Sequence, residues 1–378
     1  MTPSKATREQ LREHNRRLVL RMLYQGDVNT RAALATVTGL TKPTISSLVG
    51  ELIHDGLVVE EGLGRSTGSG GKRPTLLAFN PRARHIIGVA VGTRKVSAVL
   101  SDLAGISSAV HEVDLPATGA LPVLDAIEAA ALALTPQLDA PLLAVGVAVP
   151  GRVRPGDGSV RHSAALALHD EPLAAPLQAR LGVPVHVGNF AELCALGQYG
   201  YGLSEDDPAG TLVTMTLDED LEIGVVMHPS GAHFGSEMAG PMVEELRLGW
   251  SALKERAAEL LRGSKRSELR EDELRYLHIR RAAADGDEVA RELQSELAKG
   301  LARPLAWVMA VLQPNNVSLA GGVTDLGEGF LELLKSEAEL LLGAGALDDV
   351  LLSMAYSNRL GAMGAVALAN LAELELVA

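Results

Sequence analysis

The sequence contains very little cysteine and few aromatic residues. Its 378 residues include one cysteine, Cys194, so no internal disulfide and no zinc site made of several thiolates can form. Aromatic residues make up 3% of the chain and apolar residues 47%. The cores must therefore be built mainly from alanine, valine and leucine, and a chain of this length predicts two or three domains.

The sequence also lacks a long apolar run. No stretch approaches the roughly 18 consecutive apolar residues that span a bilayer. Residues 1–17 contain no apolar core of a secretory signal peptide. We therefore expect a cytoplasmic protein with no membrane partner.

Charge is distributed unevenly along the chain. Residues 1–85 contain 13 Lys and Arg against 7 Asp and Glu, a net charge of +6. Residues 86–378 contain 21 against 40, a net charge of −19. This difference indicates that only the N-terminal segment contacts a polyanion such as DNA. A surface helix that happens to carry several arginines would give the same balance, so charge alone does not decide.

The N-terminal segment has the spacing of a helix-turn-helix motif. Helices are predicted over 13–24, 30–37 and 42–54, with Asn29 or Thr30 capping the second and Thr41 capping the third. Ala35 permits close approach of two helices, and Gly39 can adopt the positive φ of the turn between them. In this motif the second helix of the pair enters the major groove.

The outward face of the third predicted helix carries the candidate DNA contacts. Its side chains are short or polar, so they can reach base edges and phosphates without steric hindrance. The candidates are Thr41, Lys42, Thr44, Ser46 and Ser47.

Two predicted strands with a basic loop between them follow these helices. The strands cover 57–59 and 75–79, and the loop carries Arg65, Lys72 and Arg73 without an acidic residue. Such a wing would contact phosphates or the minor groove. The sequence thus predicts a winged helix-turn-helix domain over residues 1–82. A three-helix module for protein contacts, followed by a basic linker, is the alternative.

Residues 83–378 alternate between strand and helix patterns. The strand-like apolar runs lie at 86–91, 96–100, 142–150, 183–188, 211–217 and 316–322. Apolar strands separated by helices predict an α/β domain with buried parallel or mixed sheets.

Seven segments of the sequence, which follow one another along the chain in the family's order, resemble the ROK family of repressors, open reading frames and kinases. They are GGKRP at 70–74, VAVPGRV at 147–153, LGAMGAVALA at 360–369, and the segments 86–105, 183–202, 231–240 and 281–323. The resemblance covers nearly the whole chain. It implies a sugar-kinase-like body with an actin-like, ribonuclease H-like fold of two α/β lobes and a ligand cleft between them. Members with a winged helix look like sugar-responsive regulators, and members without one are mostly hexose kinases.

The residues that the resemblance would place in the kinase site are replaced. The catalytic Asp of the kinases corresponds to Phe190, whose ring cannot accept a proton from a sugar hydroxyl. The first phosphate loop reads AVGTR at 90–94, and the second reads DEDLE at 218–222, where four carboxylates would repel a triphosphate. We expect no catalytic residue and no phosphoryl transfer from ATP. The alternative is a sugar kinase with an accessory winged helix. Formation of ADP from ATP in the presence of a panel of hexoses would support that alternative.

The implied sugar site is altered as well. Ala164 and Ala165 stand where the family has a Pro-Asn contact, and Gly240 replaces a histidine that contacts sugar and metal. Because this histidine and the cysteines of the family's zinc loop are absent, we expect no metal and no cofactor.

Three residues remain as candidates for ligand binding, namely Asn189, His233 and Glu237. Asn189 and Glu237 have the alternative interpretation of structural hydrogen bonding, and His233 that of an ordinary surface histidine.

Together these features predict a sequence-specific, DNA-binding transcriptional regulator, in particular a repressor. We expect a homodimer or homotetramer that binds an inverted-repeat operator in double-stranded DNA. The body would hold the subunits together. It would either bind a small-molecule effector related to sugars, in a rebuilt pocket, or act as a scaffold alone.

Overall fold

The protein consists of an N-terminal helical head followed by two α/β lobes. The computed structural model describes residues 8–26, 28–64, 73–202, 210–227, 232–238, 246, 248–263, 267–355 and 359–376, without the side chains of 236–238. None of the helices in these ranges combines the length and the apolarity needed to cross a bilayer.

The head is a three-helix unit with a two-stranded wing. Its elements are α1 (Arg8–Tyr24), α2 (Arg31–Thr38), α3 (Lys42–His54), β1 (Val58–Leu63) and β2 (Thr75–Phe79). Thr30 and Thr41 cap α2 and α3 by accepting hydrogen bonds from the N–H groups of Ala33 and Thr44. Gly39 has a φ of 70°, as the turn requires. The predicted helices are therefore confirmed, although α1 begins five residues earlier than expected.

The first lobe contains a five-stranded sheet in the order β10-β6-β3-β4-β5. Its elements are β3 (His85–Val91), β4 (Lys95–Asp102), β5 (Ser107–Asp114), α4 (Ala120–Leu132), β6 (Leu142–Val149), α5 (Ala174–Leu181) and β10 (Val185–Asn189). A separate three-stranded sheet, called the flap here, consists of β7 (Arg152–Val153), β8 (Ser159–Ser163) and β9 (Leu168–Pro172).

The second lobe repeats this topology in the order β13-β12-β11-β14-β15. Its strands are β11 (Leu212–Leu217), β12 (Leu221–Met227), β13 (Ala232–Met238), β14 (Asn316–Ala320) and β15 (Leu351–Met354). In each lobe three antiparallel strands are followed by two parallel ones. The repetition confirms the expected pair of ribonuclease H-like α/β lobes.

The helices of the body cover these sheets and separate the two lobes. They are α6 (Phe190–Tyr201), α7 (Trp250–Gly263), α8 (Tyr276–Ala284), α9 (Glu288–Leu312), α10 (Glu328–Leu342) and α11 (Leu360–Leu374). Helices α6 and α11 pack closely together, with Gly197 against Gly364. Helix α11 also packs on β3 and β6, whereas α6 contacts β11 and β12. These two central helices therefore link both sheets.

The head packs directly on the first lobe. Its buried side chains belong to one apolar cluster with residues of β3, α6 and α11. Within this cluster the rings of Tyr24 and Phe79 meet edge to face, with centroids 5.1 Å apart. The predicted boundary between residues 82 and 83 lies in the short 3₁₀ helix Pro81–Ala83 and stays a prediction.

Candidate functional site

The N-terminal half of α3 presents the predicted contact residues on one face. Thr41, Lys42, Ser46 and Ser47 are exposed, and Thr44 is half-buried. The opposite face carries Ile45, Leu48, Val49 and Leu52, which are all buried in the head. Because the cap and the apolar stripe fix the rotation of α3, the polar side chains point into solvent together. Their contact with DNA stays a prediction.

Side chains of α1 brace α3 beside this face. Arg16 binds Asp55 with 2.7 Å between Nη2 and Oδ2. Arg12 contacts the carboxylate of Glu51, which also accepts a hydrogen bond of 3.1 Å from the Ser47 hydroxyl. The sequence analysis did not single out Arg12, although its exposed guanidinium lies next to Ser47. Arg12 lies four residues after Arg8, about one helical turn, and this spacing of two cations was the signal in the sequence that could have identified Arg12.

The wing contributes one described cation. Arg73 is exposed and lies two residues before β2 begins. Arg65 and Lys72 lie outside the described residues. The position of Arg73 at the end of the wing is compatible with the predicted phosphate contact.

The cleft between the lobes contains a small cavity at the start of α6. This cavity measures about 50 Å³ and is lined by Gly92, Gly151, Ser163, Phe190, Thr216 and Asp218, among others. Ordinary small-molecule pockets measure about 300–1,000 Å³. A hexose therefore does not fit into this cavity. A second cavity of about 600 Å³ lies beside it between the lobes and is lined by Arg94, Glu112, Phe190, Asp218 and Gly322, among others.

Two side chains limit the size of this small cavity. Phe190 begins α6 and lines the cavity, and Glu222 is buried on β12 with 4% of its surface exposed. The Glu222 carboxylate accepts a hydrogen bond from the N–H of Gly151, across the lobe boundary. Glu222 is thus buried and bound to the backbone of the first lobe, and the expectation that the acidic segment repels a triphosphate stays a prediction.

Asn189 uses both of its polar atoms within the protein. Its Nδ2 donates to the Gly151 carbonyl at 2.7 Å, and its Oδ1 accepts from the Glu192 N–H at 2.9 Å, which caps α6. The side chain is buried, with 2% of the residue exposed. These contacts favour the structural interpretation of Asn189, and its role toward a ligand stays a prediction.

His233 is largely buried and paired, unlike an ordinary surface histidine. Its Nδ1 lies 2.7 Å from Glu192 Oε1, and both side chains are less than one fifth exposed. Glu192 is a site residue that the sequence analysis missed. Glu237 pairs in register with Glu222 through the backbone of β13, but its side chain lies outside the described residues. Asn189 and His233 are thus brought together through Glu192.

Asp218 braces the turn that follows β14. Its Oδ1 accepts a hydrogen bond of 2.9 Å from the Gly322 N–H. The surrounding cleft walls raise the pKa of Asp218 to about 6, chiefly by desolvating the carboxylate, although the group remains accessible to water. The N–H of Gly322 is therefore already satisfied by the protein and is not free to bind a phosphate.

Asp218→Asn is expected to change how stability depends on pH. Because the folded state raises the pKa of Asp218 from 3.8, its contribution is fully present below pH 3.8 and is lost as the pH rises through about 6. Asparagine keeps the acceptor for Gly322 but does not titrate. In urea denaturation, the variant should gain stability relative to the wild type between pH 4 and pH 7. Parallel pH profiles of the two proteins would contradict this expectation, and Asp272→Asn, at an exposed site, is the control.

The described part of the chain shows no group of three or more His, Cys, Asp and Glu side chains that could hold a metal ion. Residues 241–245, part of the segment that corresponds to the family's zinc loop, lie outside the described ranges. Cys194 is buried on α6, and burial raises the pKa of its thiol. The thiol is therefore poorly suited to act as a nucleophile.

Comparison with known proteins gives matches that cover the body and the head. The model of the ROK family matches residues 86–242 and 251–372. The xylose repressor of Caldicellulosiruptor bescii is 25% identical over 351 residues, which cover 86% of this chain and 87% of that protein.

Two solved structures share the fold. A ROK family transcriptional regulator, described as a homologue of the Mlc protein of E. coli, superposes with a TM-score of 0.77 at 18% identity, covering 97% of each chain. A ROK family glucokinase from Streptomyces griseus, in complex with glucose and AMPPNP, superposes with a TM-score of 0.64 at 24% identity. The glucokinase match covers 75% of this chain and 98% of that chain. The family model alone spans well over half of the sequence, and the chain therefore belongs to the ROK family.

Proposed function

We propose that this protein is a DNA-binding transcriptional repressor. The observation that carries the proposal is the exposed polar face at the N-terminal half of α3, held in place by a helical cap and a buried apolar stripe. The repressor and the regulator that resemble this chain do so over the head and the body together.

Charge supports the assignment of DNA binding to the head alone. The head is basic, whereas the remaining chain carries a net charge of −19. A duplex would therefore attract the head and repel most of the body, which orients the protein before contact. Paired heads in a homodimer or homotetramer would bind the two halves of an inverted repeat.

We infer that the body does not transfer phosphoryl groups. Phe190 offers no base at the position where the kinases have one, and Asp218 occupies the N–H of Gly322. Glu222 adds a buried carboxylate at the lobe boundary. The body instead would sense an effector related to sugars, by likeness to the xylose repressor, and the protein would act in the cytoplasm.

The proposal is tested by sequencing the genomic fragments that the purified protein retains at about 150 mM salt, where non-specific binding is weakened. A small set of enriched inverted repeats is the expected result. Uniform retention, or none, would contradict sequence-specific binding by the head.

Lys42→Ala is expected to weaken operator binding about tenfold or more, because it removes a cation from the exposed face of α3.

Arg73→Ala should weaken binding to all DNA sequences. It should also reduce the steepness of log affinity against log salt concentration by about 1. Titration of labelled operator by fluorescence anisotropy measures both effects. Arg270→Ala, at an exposed site on the body, is the matched control and should bind like the wild type. Equal affinity in all four proteins would contradict the assignment of these residues.

A further inference from the structure

The cavity of about 600 Å³ between the lobes, called the large cavity here, is built by both lobes and by α6. The first lobe contributes the turn between β3 and β4 and the inner face of β5. The second lobe contributes Asp218 after β11, the turn after β14 and Ala355 after β15, and α6 contributes Phe190 and Cys194. The large cavity thus has the size of an ordinary small-molecule pocket, about 300–1,000 Å³.

One face of the first-lobe sheet forms the floor of the large cavity. Ala90 of β3 pairs with Ser97 of β4, and Ser97 pairs with Glu112 of β5. Directly paired residues of neighbouring strands point to the same side of a sheet, so these three side chains lie in one row. Lys95 and Asp114 pair in the next row of the same face. Strand register therefore brings all five residues to the cavity, and all five line it.

Ser97 lies in this floor with an unused hydroxyl group. The residue is 9% exposed, and its Oγ has no hydrogen-bond partner within the part of the chain that the structure describes. A buried hydroxyl without a partner destabilises the folded protein, because it has lost its hydrogen bonds to water. In the wall of a cavity, such a group indicates a hydrogen bond that forms when a ligand occupies the cavity.

The described lining of the large cavity is acidic. It contains two basic and four acidic side chains, namely Arg94, Lys95, Glu112, Asp114, Asp218 and Asp325. Their net charge is −2 when all are ionised. Lys95 is held by Glu112, with 2.9 Å between Nζ and Oε2, so this pair adds little net charge. Arg94 alone then faces three carboxylates, and a cleft lined by an excess of one sign attracts ligands of the opposite sign.

Buried groups around the large cavity respond to this negative charge. Desolvation raises the pKa of Asp218, and the charges of Glu219 and Asp325 raise it further. Burial raises the pKa of the Cys194 thiol, and the charges of Glu222 and Asp218 add to this effect. An anionic ligand would meet the same repulsion, whereas a cationic ligand would relieve it.

We propose that the large cavity binds a small hydroxyl-bearing molecule with a protonated amino group. The amino group lies between Asp114 of the first lobe and Asp218 and Asp325 of the second. An ammonium group has three N–H donors, and hydrogen bonds from it to carboxylates are strengthened by charge. A hydroxyl group of the ligand pairs with Ser97 Oγ. The proposal rests on the proposed function, since it names the chemical class of the effector.

A ligand in the large cavity would contact both lobes and the helix between them. Helix α6 packs against α11, and Glu375, directly after α11, binds Arg17 of the head. If the ligand binds more tightly to one relative position of the lobes, it shifts the population toward that position. Occupation of the cavity would thus reach the head through these two helices.

Glucamine, sorbitol and gluconate are the probes for the first test. They share a hydroxylated six-carbon chain and differ in one terminal group, which is a protonated amine, a neutral hydroxyl and a carboxylate. In calorimetric titration at constant ionic strength, glucamine is expected to bind at least about tenfold more tightly than sorbitol, and gluconate should not bind. The absence of glucamine binding, equal affinity for glucamine and sorbitol, or binding of gluconate would overturn the proposal.

Asp114→Asn and Asp325→Asn are each expected to weaken glucamine binding about fivefold or more, because each removes one charge that faces the amino group. Both residues are exposed, so both variants should fold. Asp349→Asn is the matched control, since Asp349 is exposed and precedes β15 at the end of this strand opposite Ala355. Glucamine affinity that is unchanged in both cavity variants would overturn the proposal.

Ser97→Ala is expected to weaken glucamine binding about threefold or more, because it removes the hydroxyl partner. Without ligand, the variant should be no less stable in urea denaturation than the wild type, since an unsatisfied buried hydroxyl is lost. Lower stability together with unchanged affinity would mean a structural role and would overturn this assignment of Ser97.

Operator retention without ligand is measured on the same proteins. Retained operator binding without any response to glucamine rejects the cavity alone, whereas absence of operator binding in the wild type rejects the proposed function.

Discussion

Gly364→Ala is expected to destabilise the protein by about 3 kcal/mol or more, because it places a methyl group inside a helix contact. A Cβ at this position of α11 would overlap the backbone carbonyl of Leu193 on α6. A backbone atom cannot rotate away as a side chain can, so the two helices would have to separate. Both helices pack on the sheets of the body, and their separation would disturb both lobes.

Gly329→Ala is the matched control for this substitution. Gly329 also lies in a helix, α10, but no atom lies within 4 Å of the position its Cβ would occupy. Alanine favours the helix by up to about 1 kcal/mol over glycine, so this variant should be as stable as the wild type or slightly more stable. Urea denaturation measures the free energy of unfolding of both. Similar values for the two variants would contradict the role of the close contact.

The same close packing continues on the other side of α11. A Cβ at Gly88 of β3 would overlap the carbonyl of Ala362, and a Cβ at Gly146 of β6 would overlap that of Ala365. The glycine- and alanine-rich segment 360–369 could be recognised from the sequence as a family feature. The backbone segment that each glycine approaches could not be predicted from the sequence, because the contacts join residues more than 160 positions apart.

Two strands that are buried on both faces were predicted accurately. β3 and β6 are continuous apolar runs between helices, and the sequence analysis located them within one residue. β5 was missed because it is an edge strand with mostly exposed, polar side chains. The short strands of the flap lack any apolar run, and β15 has four residues at the edge of its sheet. Strands of these kinds form through pairing with neighbours rather than through their own pattern.

The head could be predicted in detail because its signals are local. A cap and the N–H it binds lie three residues apart, and the turn requires one glycine. The cleft depends on contacts between distant residues. Glu222 binds Gly151 across 71 positions, and His233 binds Glu192 across 41. No spacing rule reveals such partners.

Glu375→Lys is expected to loosen the attachment of the head to the body. Glu375 follows α11 and binds two arginines of α1, with 2.8 Å from Oε1 to Arg17 Nη1 and 2.8 Å from Oε2 to Arg21 Nη2. The hydrogen bond from Arg17 lowers the pKa of Glu375, so this contribution to stability is present at neutral pH and is lost as the pH falls through the lowered pKa. About one third of each side chain is exposed, which limits each pair to about 1 kcal/mol through solvent screening.

Removal of both pairs and the new repulsion should together cost about 2 kcal/mol in the free energy of unfolding. The backbone at Glu375 is left-handed, with a φ of 56°, and this conformation strains lysine and glutamate equally. The difference in stability between the variant and the wild type therefore measures the effect of charge. Glu332→Lys makes the same change at an exposed site on α10 and should have little effect. Combining Glu375→Lys with Arg17→Glu and Arg21→Glu should restore part of the stability by reversing both pairs.

Operator affinity should fall with Glu375→Lys alone. Helix α11 begins beside the cleft, where Gly361 contacts Phe190, and ends at α1, the helix that braces α3. Unchanged stability and affinity would mean that the apolar cluster alone holds the head in place.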